Sequence, residues 1–421
     1  VLKQLLRSLG STALVLAHFA YAQTLPETQV GDAPTNPPAE SSPPNVLQGV
    51  EDKVGFLQGK LESLEEQYAE TKHSVLTFSK LKFAGYVQAR YQYAENSLGG
   101  LDATGAPLVK DGFSVRRGRL KAQYQGDWAS FLLQLDATPT GVSLKDAEAA
   151  LKEPWSGLGI TLTAGQTKWP FGYEIVQSSG DREFPERTRM VRAFGNGERD
   201  RGAKLAVKAK WLRATVGVFD GNGTANTKFI GVDNDTEKDV VGRVGADFKW
   251  LAFGVSGWAG KSYRPSDYTA TPAIVGKFFA RNRIGFDAQV YLDLFPFGGT
   301  SLKGEFIAGT TYQASGVERH GQTALGWYLL LVQNIGDHEQ LAVRYDFFNP
   351  ATGTPGRVDS KNPNLPASTN QVHTIGVLVT HYFDDVFKAS AVYEIPLVEP
   401  GGPDAVTPKQ NLFTLQFQAK F

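Results

Sequence analysis

The chain has 421 residues with 43 basic and 43 acidic side chains, no Cys and one Met, and 41% of it is hydrophobic. Without Cys it can hold no disulfide, thiolate metal site or cysteine nucleophile, and its charge balance argues against a nucleic-acid binder, which carries a basic excess. A helical membrane protein is excluded too, because beyond the first two dozen residues no run of 18 or more apolar residues occurs.

The chain opens with Lys3 and Arg7, a mostly apolar stretch over residues 9–19, and Ala20-Tyr21-Ala22. A positive start, a short apolar run and a small-x-small site read as an export signal over 1–22, which directs the rest to the envelope or beyond. Residues 23–45 carry Pro26, Pro34, Pro37, Pro38, Pro43 and Pro44 among polar side chains. They bury too little apolar surface to offset chain entropy and read as a disordered, Pro-rich linker.

Over 46–78 the spacing becomes helical. Val50, Val54, Leu57, Leu61, Leu64, Tyr68, Thr71, Val75 and Phe78 alternate four and three residues apart, a 3.5-residue period. This predicts a short α-helical coiled coil. Gly55 and Gly59 each cost an isolated helix about 1 kcal/mol, so partner helices are expected to support it.

From residue 79 the period drops to two. In 81–93, Leu81, Phe83, Val87 and Tyr91 alternate with Lys82, Gln88, Arg90 and Gln92, as in a strand with one face in oil and one in water. The pattern predicts strands near 81–93, 113–125, 128–138, 143–152, 159–167, 201–210, 211–220 and 238–249. It continues near 251–262, 280–294, 299–313, 321–335, 338–348, 371–383, 386–397 and 409–421. Short turns such as Gly126-Asp127, Lys210-Trp211 and Gly336-Asp337 alternate with long linkers at 94–112, 168–200, 221–237, 263–279 and 349–370. Together these predict an all-β fold over 79–421, a sixteen-stranded antiparallel transmembrane β-barrel with short turns at one rim and long loops at the other. Tyr91, Tyr93, Trp128, Trp211, Trp250, Tyr382, Phe383 and Phe421 fall at strand ends, where interfacial aromatic girdles lie.

Several of these segments resemble one family. Phe83-Ala84-Gly85-Tyr86-Val87-Gln88-Ala89-Arg90 resembles the first strand of the phosphate-selective porin O and P family. Arg116-Arg117-Gly118-Arg119-Leu120 resembles its second strand, and Leu144-Lys145-Asp146-Ala147 its fourth. Gly165-Gln166-Thr167-Lys168-Trp169-Pro170-Phe171-Gly172-Tyr173-Glu174, with Glu186-Arg187 and Arg201-Gly202, is similar to its strand-to-constriction-loop signature. Phe421 matches the terminal aromatic that assembly machinery reads. The resemblance spans about 79–421 and is dense only between 81 and 205. It implies a trimeric outer-membrane porin whose corresponding loop folds inward, with anion selectivity in the best-known members.

By strand parity, Arg90, Arg117, Arg119, Lys121, Lys204, Lys208, Arg213, Arg243, Arg281, Arg283 and Arg344 face the lumen. Arg and Lys rings in an aqueous channel favour anions, and a guanidinium suits phosphate oxygens. The 168–200 segment adds Lys168, Arg182, Arg187, Arg189 and Arg192 as constriction-loop candidates. Asp136, Asp146, Glu148, Asp287, Glu305, Asp346 and Glu394 share the inward parity, so the same cations could instead brace the wall in ion pairs.

The expected function is a water-filled pore, without a cofactor, for small anionic or neutral hydrophilic solutes, phosphate among them. The protein would sit in outer-membrane lipid as a homotrimer with its N-terminal arm in the periplasm. The alternatives are an envelope tether that contacts the cell wall through the coiled coil, and a sugar channel lined by aromatics such as Tyr86, Tyr291, Tyr328, Trp155, Trp169 and Tyr173. His320, His338, His373 and His381 show no catalytic or metal-ligand spacing, which argues against an enzyme. Residues 23–78 hold nine acids and three bases, and 79–421 hold 34 acids and 38 bases. Neutrality is thus the sum of the two cations Lys3 and Arg7, an acidic arm and a mildly basic barrel.

Overall fold

The computed structural model describes residues 46–94, 111–195, 197–224, 235–266, 275–314, 317–350, 352, 371–398 and 411–421. The expected export signal (1–22) and linker (23–45) lie outside the described residues. The chain divides between Lys72 and His73 into an N-terminal unit and a barrel unit.

Helix α1 (Val46–Ser79) runs for 34 residues, about 50 Å at 1.5 Å per residue. Its heptad side chains Val54, Leu57, Leu61, Leu64, Tyr68, Val75 and Phe78 are 47–72% exposed. A helix occupies the stretch that carries the heptad spacing.

The first barrel strands are β1 (Leu81–Ala94), β2 (Asp111–Gln125), β3 (Ala129–Thr138), β4 (Gly141–Lys152), β5 (Thr161–Lys168), β6 (Arg199–Ala209), β7 (Leu212–Phe219), β8 (Asp239–Asp247) and β9 (Leu251–Ala259). After the short strands β10 (Lys261–Arg264) and β11 (Lys277–Ala280) come β12 (Arg283–Phe295), β13 (Gly298–Ala314), β14 (Val317–Ile335) and β15 (Glu339–Pro350). The chain ends with β16 (Val372–Tyr382), β17 (Phe387–Val398) and β18 (Leu412–Lys420). Sixteen of them close into one barrel in chain order, with β10 and β11 forming a separate two-stranded sheet. Each of the sixteen falls on a strand expected from the alternation. β1 pairs antiparallel with β18 at the seam, where Gly85 and Phe421 exchange two backbone hydrogen bonds of 3.0 Å.

The β10–β11 ribbon is a difference from the expected pattern. Lys261 pairs with Ala280 just beyond the Trp258–Arg283 pair of β9 and β12, so the ribbon prolongs that hairpin. At the junction of the two parts the Asp239 carboxylate accepts the Lys261 N–H at 3.1 Å.

Burial is inverted relative to a water-soluble sheet. Phe83, Leu120, Leu133, Val216, Val255, Phe286, Leu331 and Val379 are exposed on the outer face, while Gln88, Asp136, Thr163, Ser256, Gln289, Arg344 and Thr414 are buried inside. An oily outside and a polar inside are what lipid and water impose on a closed barrel, whose backbone groups all pair between strands. Exposed Trp128, Trp211, Trp250 and Phe383 sit at strand ends as expected. Tyr382 departs from the expected girdle: it faces the lumen and donates its hydroxyl to Gln340 at 3.4 Å.

Candidate functional site in the barrel lumen

The segment between β5 and β6 folds into the barrel and is held there by apolar and polar contacts. Its side chains Trp169, Phe171, Ile175, Phe184, Met190, Val191 and Phe194 join inward-facing Trp258, Ile307, Tyr312, Tyr328 and Phe348 in one dry cluster. Full burial of such side chains contributes about 1.5–3 kcal/mol each. Gly376 on β16 makes room for Phe184, since a Cβ there would lie 2.7 Å from its ring. Helix α2 (Arg189–Phe194) is capped by Thr188 and accepts a further carboxylate at its start, with Asp346 receiving the Arg189 N–H at 2.8 Å.

The remaining anchors come from around the wall. Glu305 on β13 accepts the backbone N–H groups of Tyr173 and Glu174 at 3.1 and 3.0 Å. Gln88 on β1 and Gln418 on β18 donate to the carbonyls of Ser179 and Gly180. Lys303 pairs with Glu183 at 2.5 Å, and Arg344 donates to the Glu186 carbonyl at 2.9 Å. The loop thus lies against β9, β12–β18 and part of β1, and a space remains along the inner faces of β1–β6.

Two β-bulges alter which charges face inward. Between Gln88 and Ala89 of β1 the register on β2 jumps from Arg117 to Val115, so Arg116 is the extra residue. A bulge re-aims its side chain, and Arg116 turns in to bind Glu186 through Nε at 2.5 Å and Nη2 at 3.2 Å. The register of β4 against β3 skips Lys145 in the same way, and its Nζ lies 3.9 Å from Asp136.

Most of the expected lumen cations are paired. Arg90 reaches Glu186 at 2.9 Å, Arg119 reaches Asp136 at 3.3 Å, and Lys204 reaches Glu148 at 3.7 Å. Arg243 grips Asp287 bidentately at 3.0 and 2.6 Å, and Arg344 reaches Glu394 at 3.0 Å. Arg281 joins Asp239 and Glu318, while Arg283 donates to the Phe194 carbonyl and stacks 4.3 Å over Trp258. Lys208 and Arg213 instead lie at the short-turn rim. Lys208 is exposed, and Arg213 binds the Lys210 carbonyl and Asp247.

On the loop, Lys168 donates to the Val176 and Gln177 carbonyls at 3.0 and 2.8 Å, and Arg187 binds Glu198 and the Glu174 carbonyl. Arg189 contributes its backbone N–H, and Arg192 is exposed at the end of α2.

A cluster of guanidinium groups surrounds Glu186. Burial would raise its carboxyl, but the hydrogen bonds and charge of Arg116, with Arg182 and Arg117 nearby, hold it well below the usual carboxylate range. Burial likewise opposes ionisation of Glu198, yet Arg187 and Arg199 draw it down to about 2. Burial and then repulsion from Arg187 push the Arg182 guanidinium down to about 10. Arg182 Nε and Nη1 and Arg117 Nε are buried without a hydrogen-bond partner among the described residues.

A cavity of about 420 Å³ runs from the loop along β1–β6 toward the seam with β18. Its lining holds six cations, Arg119, Lys121, Lys168, Arg199, Lys204 and Lys420, against three carboxylates, Asp146, Glu148 and Asp181. Arg199 grips Asp146 bidentately and Lys420 reaches Asp181 at 2.6 Å. Lys121 has no ion pair among the described residues.

Residues 87–232 match the phosphate-selective porin O and P family. No curated protein matches the sequence. Among solved structures, Pseudomonas putida OprB is 11% identical with a TM-score of 0.57, over 84% of this chain and 97% of that one. Salmonella typhi OmpF is 11% identical with a TM-score of 0.53, over 81% and 97%. An anion-selective porin from Comamonas acidovorans is 13% identical with a TM-score of 0.52, over 81% and 99%. The fold is that of the porins.

Within this porin fold, strand parity missed Arg116 and Lys145, because a bulge is invisible to strict alternation. It also missed the partners of His320, whose Nδ1 lies 2.8 Å from Ser262 Oγ, itself 2.9 Å from Glu318. Ser262 is only 2% exposed, so this hydroxyl braces the ribbon rather than facing a substrate. Among the described residues no group of three His, Asp or Glu could hold a metal ion. The aromatic candidates are spread through the structure: Trp169 and Tyr328 are buried in the loop core, and Trp155 packs edge-on against Trp128 at the short-turn rim.

Proposed function

We propose that the protein is an outer-membrane porin that passes small hydrophilic solutes by diffusion and prefers anions. The observation that carries this reading is the excess of cations over carboxylates in the cavity beside the loop, with Lys121 left without a carboxylate partner. Ring charge sets selectivity where it is unpaired. The buried, under-satisfied Arg117 and Arg182 add positive potential behind the loop. A sugar slide needs a line of open aromatic faces, and Tyr86 and Tyr328 are buried. The test is the reversal potential of the reconstituted protein in a potassium chloride gradient. A chloride-directed potential is expected, and a potassium-directed one refutes the anion preference.

We further propose a homotrimer whose α1 helices join through the exposed row from Val54 to Phe78, with the arm in the periplasm. Removing residues 23–78 separates this from a cell-wall tether. Altered assembly with an intact pore supports association between copies, and loosened envelope attachment of an intact oligomer supports the tether.

A further inference from the structure

The cavity along β1–β6 has two kinds of lining set side by side. Lys121 and Gln134 are directly paired across β2 and β3, and Gln134 Nε2 is buried with no hydrogen-bond partner among the described residues. Two residues along the same face of β3 is Leu132, and the constriction loop presents Val176, 49% exposed. All four line the one cavity. Lys168 holds Val176 in place by donating to its carbonyl. Arg119, Arg199, Lys204 and Lys420 are engaged by Asp136, Asp146, Glu148 and Asp181, and Lys168 by the Val176 and Gln177 carbonyls, which leaves Lys121 as the cation available to a ligand.

Gln134 lines the cavity, and a turn of its side chain brings the unsatisfied amide N–H to an incoming anion oxygen, which stabilises it. Inorganic phosphate carries oxygens on every side and would turn some of them toward Leu132 and Val176, where they lose water and gain no donor. A carboxylate on a short alkyl body has its oxygens at one end only. We propose that Lys121, Gln134, Leu132 and Val176 form a subsite for small organic monocarboxylates. The ammonium and amide take the carboxylate, and the two aliphatic side chains take the alkyl chain. The proposal rests on the anion-preferring pore and narrows its preferred solute from anions in general to amphipathic ones.

The experiment measures block of the chloride current through the full-length protein in planar bilayers, titrated separately with acetate, butyrate and phosphate at constant ionic strength. Full burial of a methylene would tighten binding about fourfold. Against these half-covered side chains about twofold per methylene is expected, so butyrate should half-block at about one quarter of the acetate concentration. Phosphate should block least. Leu132→Asn and Val176→Ser each bring the acetate-to-butyrate ratio toward one, whereas Lys121→Gln weakens both acids together. Butyrate blocking no better than acetate, phosphate blocking better than butyrate, or a ratio that survives both apolar substitutions overturns the subsite and leaves the anion-preferring pore standing. A potassium-directed reversal potential overturns the anion preference itself, and the subsite with it.

Discussion

Lys121→Gln removes one unit of charge from the cavity wall, and its effect follows from the size of the cavity. A sphere of the 420 Å³ cavity volume has a radius of about 4.6 Å, so a central ion feels a wall charge by about 0.9 kcal/mol in water. At about 0.1 M salt, screening over a Debye length of about 10 Å reduces this to roughly 0.6 kcal/mol. Anions are then enriched about 2.6-fold and cations depleted by the same factor, so the anion-to-cation permeability ratio should fall about sevenfold on substitution. At about 1 M salt, where the Debye length is about 3 Å, the change should shrink to about twofold. The assay is the reversal potential at two salt levels with a fixed concentration ratio. A low-salt shift absent in Lys121→Gln, or one equally large at high salt, would show that Lys121 does not act through unpaired wall charge.

Three further outcomes are expected. Gly172→Ala places a methyl against the Glu305 carboxylate at a backbone φ of 65°. It should cost more than about 1 kcal/mol and loosen the loop, read as a raised, noisier single-channel conductance. The Glu198 carboxyl is depressed from 4.5 to about 2 in the folded protein, so its contribution is whole above about pH 4.5 and lost as pH falls toward 2. The stability difference between the protein and Glu198→Gln, read by thermal unfolding in detergent, should be constant from about pH 7 to 5 and then shrink by up to about 3 kcal/mol. Deleting Phe421 removes both hydrogen bonds that extend the seam to Gly85. The fraction of heat-modifiable, closed barrel on gels should drop, and an unchanged fraction would remove Phe421 from assembly.

The strands were legible because a wall between oil and water must alternate, and Phe83, Gln88, Leu133 and Asp136 each fall on the side their polarity demands. Parity reports the face of a residue but not its height, which is why Lys208 and Arg213 carry the inward parity yet lie at the rim. The loop was legible as a charged segment with as many acids as bases. Its dry cluster of Phe171, Ile175, Met190 and Phe194 was not, because these residues follow no period and match wall positions distant in sequence. Pairing was beyond reach for the same reason: Arg243 and Asp287 are 44 residues apart, and Arg90 and Glu186 are 96 apart.

The bulges at Arg116 and Lys145 carry a consequence for how such pores diversify. Each is a single residue accommodated by a local kink, and each brings an extra cation inward, Arg116 beside Arg117 and Lys145 beside Asp146. Deleting either residue would restore strict alternation without changing any neighbour's identity. A pore of this design can therefore shift its electrical character through insertions and deletions of one residue in a strand, and relatives with similar composition can differ in what they conduct.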